Sequence, residues 1–252
     1  MSKKYFVWSF DDGLEQDKRI IEILKEYNMG ATFHLNSGLY GERTYEGRIG
    51  NLGFKEVPEE KFYLQKRHFV PYVPHFRIPE DEVCQVYEGF EIAAHTCTHK
   101  KLSGCSEQEL RNEIVLDVHA LSEKFKQDIV GFSYPYGIGA EQSEEILKEA
   151  GVMYARTIKT NQEFVFPDNP LRLPMNGWHL SSKVFDYLDQ FFKADAEKED
   201  RLFLMFAHGY EFDFETKESS WDKFKRICET VSTQEDIVCC SIGDAFKMHF
   251  GL

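Results

Sequence analysis

Two carboxylates stand side by side at Asp11-Asp12, directly after the apolar run 5–10 and directly before Gly13. Adjacent acids repel, and a strand end solvates them poorly. Chains place such a pair where a cation or a proton relay uses it. Further along, His95-Thr96-Cys97-Thr98-His99 carries two imidazoles four residues apart. Both can face one way on a single turn and reach one ion. With one carboxylate they make a two-His, one-carboxylate set that leaves positions open for water and substrate, whereas a structural site would be closed by four protein ligands. The H-x-x-x-H spacing alone is a weak signal. Its weight comes from the acid pair at another strand end.

The elements that would position these residues are legible as a rhythm. Apolar strand-like runs alternate with amphipathic helical patterns. Strands are expected at 5–10, 31–35, 90–94, 130–134, 152–156, 202–207 and 237–240. Ile20, Ile21, Ile23, Leu24 and Tyr27 mark a helix face stopped near Gly30. A helix from Pro79 through Tyr87 is expected, with Gly89 just past it. Ser106 with Glu109 reads as a capping box opening a helix through Phe125. Further helices are expected at 141–150, from Val184 to Phe192, from Trp221 to Val231 and at the C-terminus. Such alternation implies a parallel sheet. Seven or so repeats favour a distorted or incomplete (β/α) barrel, TIM-like, seven- or eight-stranded and forming a single domain. In such barrels the chemistry gathers at the C-terminal strand ends. The reactive residues do collect there: Asp11-Asp12, His95 to His99, Tyr134-Pro135-Tyr136-Gly137, Asn176-Gly177-Trp178-His179 and His208-Gly209. Residues 38–78 break the rhythm and read as an irregular insertion, a lid or rim, with a hairpin around 62–64 and 69–72.

Composition bounds the partners. The 252 residues suit one barrel-sized domain, and 42% hydrophobic with 15% aromatic residues supply a core. A net charge of −13 disfavours nucleic acid and anionic membrane surfaces. No run is long enough to span a bilayer and no signal-peptide core is evident. Six cysteines without C-x-x-C spacing read as reduced, mostly packed thiols. A cytoplasmic location is expected, and the oligomeric state is open.

Ser9-Phe10-Asp11-Asp12-Gly13 resembles the first motif of the polysaccharide deacetylase (NodB-homology, carbohydrate esterase) family. His95 to His99 is similar to its second motif, Phe132-Ser133-Tyr134-Pro135-Tyr136-Gly137 to its third, and Phe206-Ala207-His208 to its last. The motifs come in family order. The resemblance implies a distorted (β/α) barrel and metal-dependent hydrolysis of an N-acetyl or related acyl group on a carbohydrate or small amide. It implies Asp12, His95 and His99 as ligands of one divalent ion, most often zinc. It further implies Asp11 as general base, His208 as general acid and the Tyr136 backbone N–H as an oxyanion donor.

Two departures stand out. Ser133 replaces the arginine that orients the base in the family, and Arg156 and Arg172 are the candidate substitutes, with Arg156 preferred. Asn176 replaces the usual motif-four aspartate. Trp178 is then expected to wall the acyl pocket, and His179 to substitute in part or to reach the metal site. His34, His68, His75, His119 and His249 are expected to be surface or packed residues, and Cys97 is a minor candidate metal neighbour. Two alternatives remain: a hydrolase of another non-peptide C–N bond, such as a deformylase or ureide hydrolase, and a catalytically impaired glycan-binding homologue.

Overall fold

The computed structural model of the chain describes residues 2–48, 54–58, 72–196 and 198–252. Side-chain alternation decides its central element. In β1 (Lys4–Asp11), Phe6, Trp8 and Phe10 enter one hydrophobic cluster and Tyr5 and Val7 another. Successive strand residues point to opposite faces, so both faces of β1 are buried. Phe6, Trp8 and Phe10 meet the helices that surround the sheet, such as α1 (Asp17–Glu26) with Ile20 and Leu24. Tyr5 and Val7 face the enclosed side. The same parity carries on through Ser9 to Asp11, and delivers Asp11 to the inside at the C-terminal end of the strand.

The remaining strands of the main sheet are β2 (Ala31–Leu35), β6 (Glu91–Ala94), β7 (Gly131–Ser133), β8 (Tyr154–Thr160), β9 (Leu173–Met175), β10 (Gly177–Trp178), β11 (Arg201–His208) and β12 (Ile237–Cys240). Their order is β10-β11-β1-β2-β6-β7-β8-β9, with β12 beside the first half of β1, and every pairing is parallel. Registers set the site in one row: Asp11 pairs with His208 on one side and His34 on the other, and Ser133 pairs with Arg156. The result is a nearly closed (β/α) barrel in a single domain.

Asn176 sits where the two open edges meet, since β9 pairs with β8 and β10 with β11. Its side-chain oxygen accepts from Leu204 N at 2.8 Å, and its amide donates to Asn161 O at 3.2 Å. A carboxylate could accept but not donate here, so the asparagine at this position serves the closure of the barrel.

The helices follow largely as expected. The 19-residue helix Glu107–Phe125 opens on the capping box of Ser106 and Glu109. Ala140–Glu149, Val184–Lys193, Trp221–Ser232 and Ile242–Phe250 complete the set, and the last of these plugs the N-terminal end of the barrel with Ile242 and Phe246. Two expectations are corrected. Residues 80–82 are a turn, closed by Glu82 N on Pro79 O at 3.0 Å, and only Val83–Val86 is helical. The insertion is not irregular throughout: β3 (Arg43–Arg48), β4 (Phe54–Pro58) and β5 (Tyr72–Phe76) form an antiparallel sheet in the order β4-β3-β5. Its mixed composition hid the pairing, which joins segments far apart in sequence. The expected hairpin at 62–64 and 69–72, and His68, lie outside the described residues except for Tyr72.

This small sheet is fastened to the loop after β1. Glu15 N donates to Phe76 O at 2.8 Å, Ile78 N donates to Gly13 O at 2.9 Å, and Leu14 bridges Arg77.

Candidate active site

The chain turns left-handed as soon as β1 ends. Asp12 has φ +79 and Gly13 φ +67. This turn sends the two adjacent carboxylates to different partners and relieves their repulsion.

Asp11 stays inside the barrel. The Arg156 guanidinium donates to its Oδ2, and Ser133 Oγ donates to its Oδ1 at 3.3 Å. Arg156 is 1% exposed and lies 4.3 Å over the Phe206 ring. Burial by itself would raise the Asp11 pKa, but the charge of Arg156, followed by His95, His34 and His208, outweighs it and holds the carboxyl below its usual range. Of the two arginine candidates, Arg172 lies elsewhere, on Glu144. His34 is packed against Asp11, with Nδ1 3.4 Å from Oδ1, and burial pushes its pKa down to about 3.

Asp12 turns toward His99, whose Nε2 is 3.8 Å from Oδ1. One ligand atom each from Asp12, His95 and His99 lie within 4.8 Å of one another, close enough to share one ion. The donor chemistry fits a divalent transition metal: one carboxylate and two imidazoles. His95 Nδ1 lies 2.8 Å from Ser133 O and 2.6 Å from its Oγ, which turns Nε2 inward. Burial, partly opposed by Asp11, takes the His95 pKa down to about 4, and burial likewise lowers that of His99, so both rings are neutral, as ligands must be. Burial alone would raise the Asp12 pKa. His99, the hydrogen bond from His75, and Arg77 overcome it and keep Asp12 ionised.

The second histidine motif is braced from behind. Asn36 donates to His95 O and Thr96 O at 2.6 and 2.9 Å, His95 N donates to Asp117 at 2.9 Å, and Thr98 N donates to Glu113 at 3.0 Å. Thr96 and His99 hold φ of +66 and +54, conformations that cost a non-glycine residue energy and persist only where the surroundings enforce them. Cys97 does not join the ligand set; its thiol donates to Asn112 O at 3.3 Å. Tyr136, with φ +59, sets its ring at a tilt against that of His99, 5.0 Å between centroids.

His208 ends β11 opposite Asp11, with Nε2 3.8 Å from Asp12 Oδ2. Its Nδ1 is 3.3 Å from Glu211 Oε1, and its backbone N–H donates to Glu211 Oε2 at 2.9 Å. Burial alone would lower the His208 pKa, yet Glu211, with Asp12 and Asp11 behind it, pushes it up to about 9. Glu211 thus supplies the carboxylate that motif four lacks. The sequence carried a signal for it in His208-x-x-Glu211, the spacing that a carboxylate needs to reach back to a strand-end N–H.

His179 corrects its expectation. It is fully buried behind Glu211, with Nδ1 3.3 Å from Oε2 and Nε2 2.9 Å from Ser219 Oγ, and it neither lines the cavity nor joins the group of Asp12, His95 and His99. Trp178 ends β10 facing in, and His179 begins the turn that follows, which carries it behind Glu211. Trp178 does line the cavity, and its Nε1 donates to Glu211 at 3.4 Å.

Asp11, Asp12, His95, His99, Tyr136, Trp178, His208 and Glu211 face one cavity of about 630 Å³. Trp178, Phe206, Met175 and Ile158 form an apolar wall, and the insertion adds Glu46 and His75. His75, expected to be a surface or packed residue and not a ligand, is packed: it is 3% exposed and outside the group of Asp12, His95 and His99. Its contact with Asp12, Nε2 to Oδ2 at 3.2 Å, was not expected and arises because β5 folds back over the strand ends.

Comparison with known proteins agrees with this architecture. The family model of polysaccharide deacetylases matches residues 1–155. No curated protein matches the chain by sequence. A Mycobacterium smegmatis protein described as a polysaccharide deacetylase superposes with a TM-score of 0.60 at 15% identity, over 99% of this chain and 91% of its own. A peptidoglycan N-acetylglucosamine deacetylase gives 0.50 at 18% identity, over 95% and 86%. A mutant, with restored activity, of a pseudoenzyme of carbohydrate esterase family 4 gives 0.52 at 14%, over 96% and 67%. At these identities the likeness is one of fold. Among the described residues no helix is long and apolar enough to cross a membrane.

Proposed function

From the premise that this chain belongs to the polysaccharide deacetylase family, we propose that it removes an N-acetyl group from an acetylated amino sugar or glycan fragment in a metal-dependent hydrolysis. The observation that carries the reading is the placement of two opposed pairs, Asp11 with Arg156 and His208 with Glu211, on either side of Asp12, His95 and His99.

Asp12 and the Nε2 atoms of His95 and His99 would hold one divalent ion, zinc in this reading, which when bound supplies Lewis acidity and brings the pKa of a water to about 7. Asp11, kept ionised and aimed by Arg156, takes the proton of the attacking water at Oδ2 or Oδ1. Tyr136 offers its backbone N–H to the developing oxyanion. His208 holds a proton at neutral pH because Glu211 stands on its Nδ1, and passes it from Nε2 to the leaving nitrogen. Trp178 and Phe206 exclude water beside the acyl methyl.

Arg156 and Glu211 stand where the two family residues are missing in sequence, which speaks against an impaired glycan-binding protein. Hydrolysis of another C–N bond, such as a formamide or ureide, uses the same groups. A substrate panel of N-acetylated amino sugars, formamides and ureides, read by acid and amine release, decides between them. Protein purified without added metal is expected to hold about one transition ion per chain. An enzyme with bound metal but no acetate release from any amino sugar would refute the deacetylase reading.

A further inference from the structure

The insertion brings a histidine onto Asp12, the carboxylate proposed to hold the metal. His75 lies on the inward face of β5, where its alternate neighbour Val73 is also buried. Nε2 stands 3.2 Å from Asp12 Oδ2. On the other side of the ring, Nδ1 stands 3.1 Å from the hydroxyl of Thr44, its register partner on β3. That hydroxyl also donates to the His75 carbonyl at 3.2 Å; because the Asp12 carboxylate only accepts, the contact at Oδ2 calls for the ring proton on Nε2. The ring edge also meets Tyr210 at 5.1 Å between centroids, so rotation of the imidazole is restrained.

We propose that His75 is a positioning residue for Asp12, acting from outside the ligand set to fix which carboxylate oxygen meets the metal. Oδ2 is tied to His75 and Oδ1 faces His99 at 3.8 Å. An oxygen that already accepts a hydrogen bond has given up one of its lone-pair sites, so the other oxygen becomes the better ligand. One-oxygen binding leaves room for both a water and an acyl oxygen, as a catalytic site requires. Arg77 also touches Oδ1 at 3.4 Å, but Glu42 engages it more closely at 2.7 Å and balances its charge. The inserted sheet therefore acts on the site by a specific hydrogen bond as well as by walling the cavity. This inference rests on the reading of Asp12 as a metal ligand.

Zinc affinity, measured by competition with a chromophoric chelator, tests it without recourse to turnover. His75→Ala is expected to weaken binding about 10- to 100-fold, the range found when an outer partner of a ligand is removed. His75→Gln, whose amide nitrogen reaches the place of Nε2, is expected to recover most of that loss, and His75→Leu is not. Thr44→Val, a milder change that leaves Asp12 and His75 in place, is expected to weaken binding in the same direction. Equal affinity in wild type, His75→Ala and Thr44→Val would overturn the proposal. So would a His75→Leu protein that binds as tightly as His75→Gln, because packing alone would then suffice. A wild-type protein that binds no zinc would instead overturn the metal assignment on which the proposal stands.

Discussion

Arg156 is the sharpest point at which to press on the site. It and Asp11 are 1% and 4% exposed, and the guanidinium donates to Asp11 Oδ2 from the strand next to Ser133. Removing one partner of a buried ion pair leaves the other charge stranded, at a cost of about 3–5 kcal/mol. For a chain of this size that corresponds to a fall in Tm of about 6–20 °C. Arg156→Met keeps most of the volume, so the loss would be electrostatic. Turnover is expected to fall about 100-fold or more, because Asp11 loses its aim as well as its charge balance. Arg156→Lys should recover only part, since an ammonium lacks the planar fork. The decisive variant exchanges the two register partners, Ser133→Arg with Arg156→Ser. The cation then enters from β7 and reaches the same carboxylate. Turnover above that of Arg156→Ser alone is expected, though below wild type, since Ser133 Oγ also touches His95 Nδ1 at 2.6 Å. The assay is steady-state acetate release beside thermal melting. The reasoning is refuted if Arg156→Met keeps kcat/KM within about twofold of wild type, or if the exchange does no better than the single variant.

Three further outcomes are expected. Glu211→Gln, which keeps the shape but not the charge on His208, should lower kcat by about 10²-fold or more, the share a positioned acid contributes, with zinc content unchanged; an unchanged kcat would remove Glu211 from the mechanism. Asp12→Ala or His95→Ala should abolish bound metal by elemental analysis, whereas Asp11→Asn should keep the metal and lose turnover. Asp17 is fully buried, accepts from Tyr87 OH at 2.7 Å and Leu14 N at 3.2 Å, and burial raises its pKa to about 8. A raised carboxyl pKa favours the folded state below the unfolded value of about 4, and that stability is lost as pH rises toward 8. Asp17→Asn is therefore expected to flatten the fall of Tm between those pH values, and a parallel curve for the two proteins would count against a protonated Asp17.

Much of this was legible in the residues. The apolar run 5–10 marked β1 as a buried strand with the acid pair at its end. Strand ends gathered Asp11, His95, His99 and His208 because parallel strands all finish on one side. The capping box at Ser106 placed the start of its helix. What escaped reading depends on contacts between distant segments. His75 sits in a stretch without hydrophobic period, and its meaning comes only when β5 pairs with β3 and folds over the site. Glu211 was overlooked because the motif comparison looked for a carboxylate near Trp178, while the structure draws one from the turn after β11. His179 lies just past β10, in a turn that carries it behind Glu211.

The left-handed turns have a consequence for anyone altering this protein. Asp12, Thr96, His99 and Tyr136 all occupy a conformation that glycine adopts freely and that costs other residues about 1–2 kcal/mol. Selection for heat tolerance alone would find gains at the less buried of these, His99 and Tyr136, where glycine relieves the backbone, whereas at Asp12 and Thr96 the lost buried contacts cost more than the relief returns. Each gain would remove a candidate ligand or a wall of the cavity. A library screened by melting temperature would thus drift toward robust and inactive variants. Holding these four positions fixed lets the rest of the barrel be hardened without dismantling its chemistry.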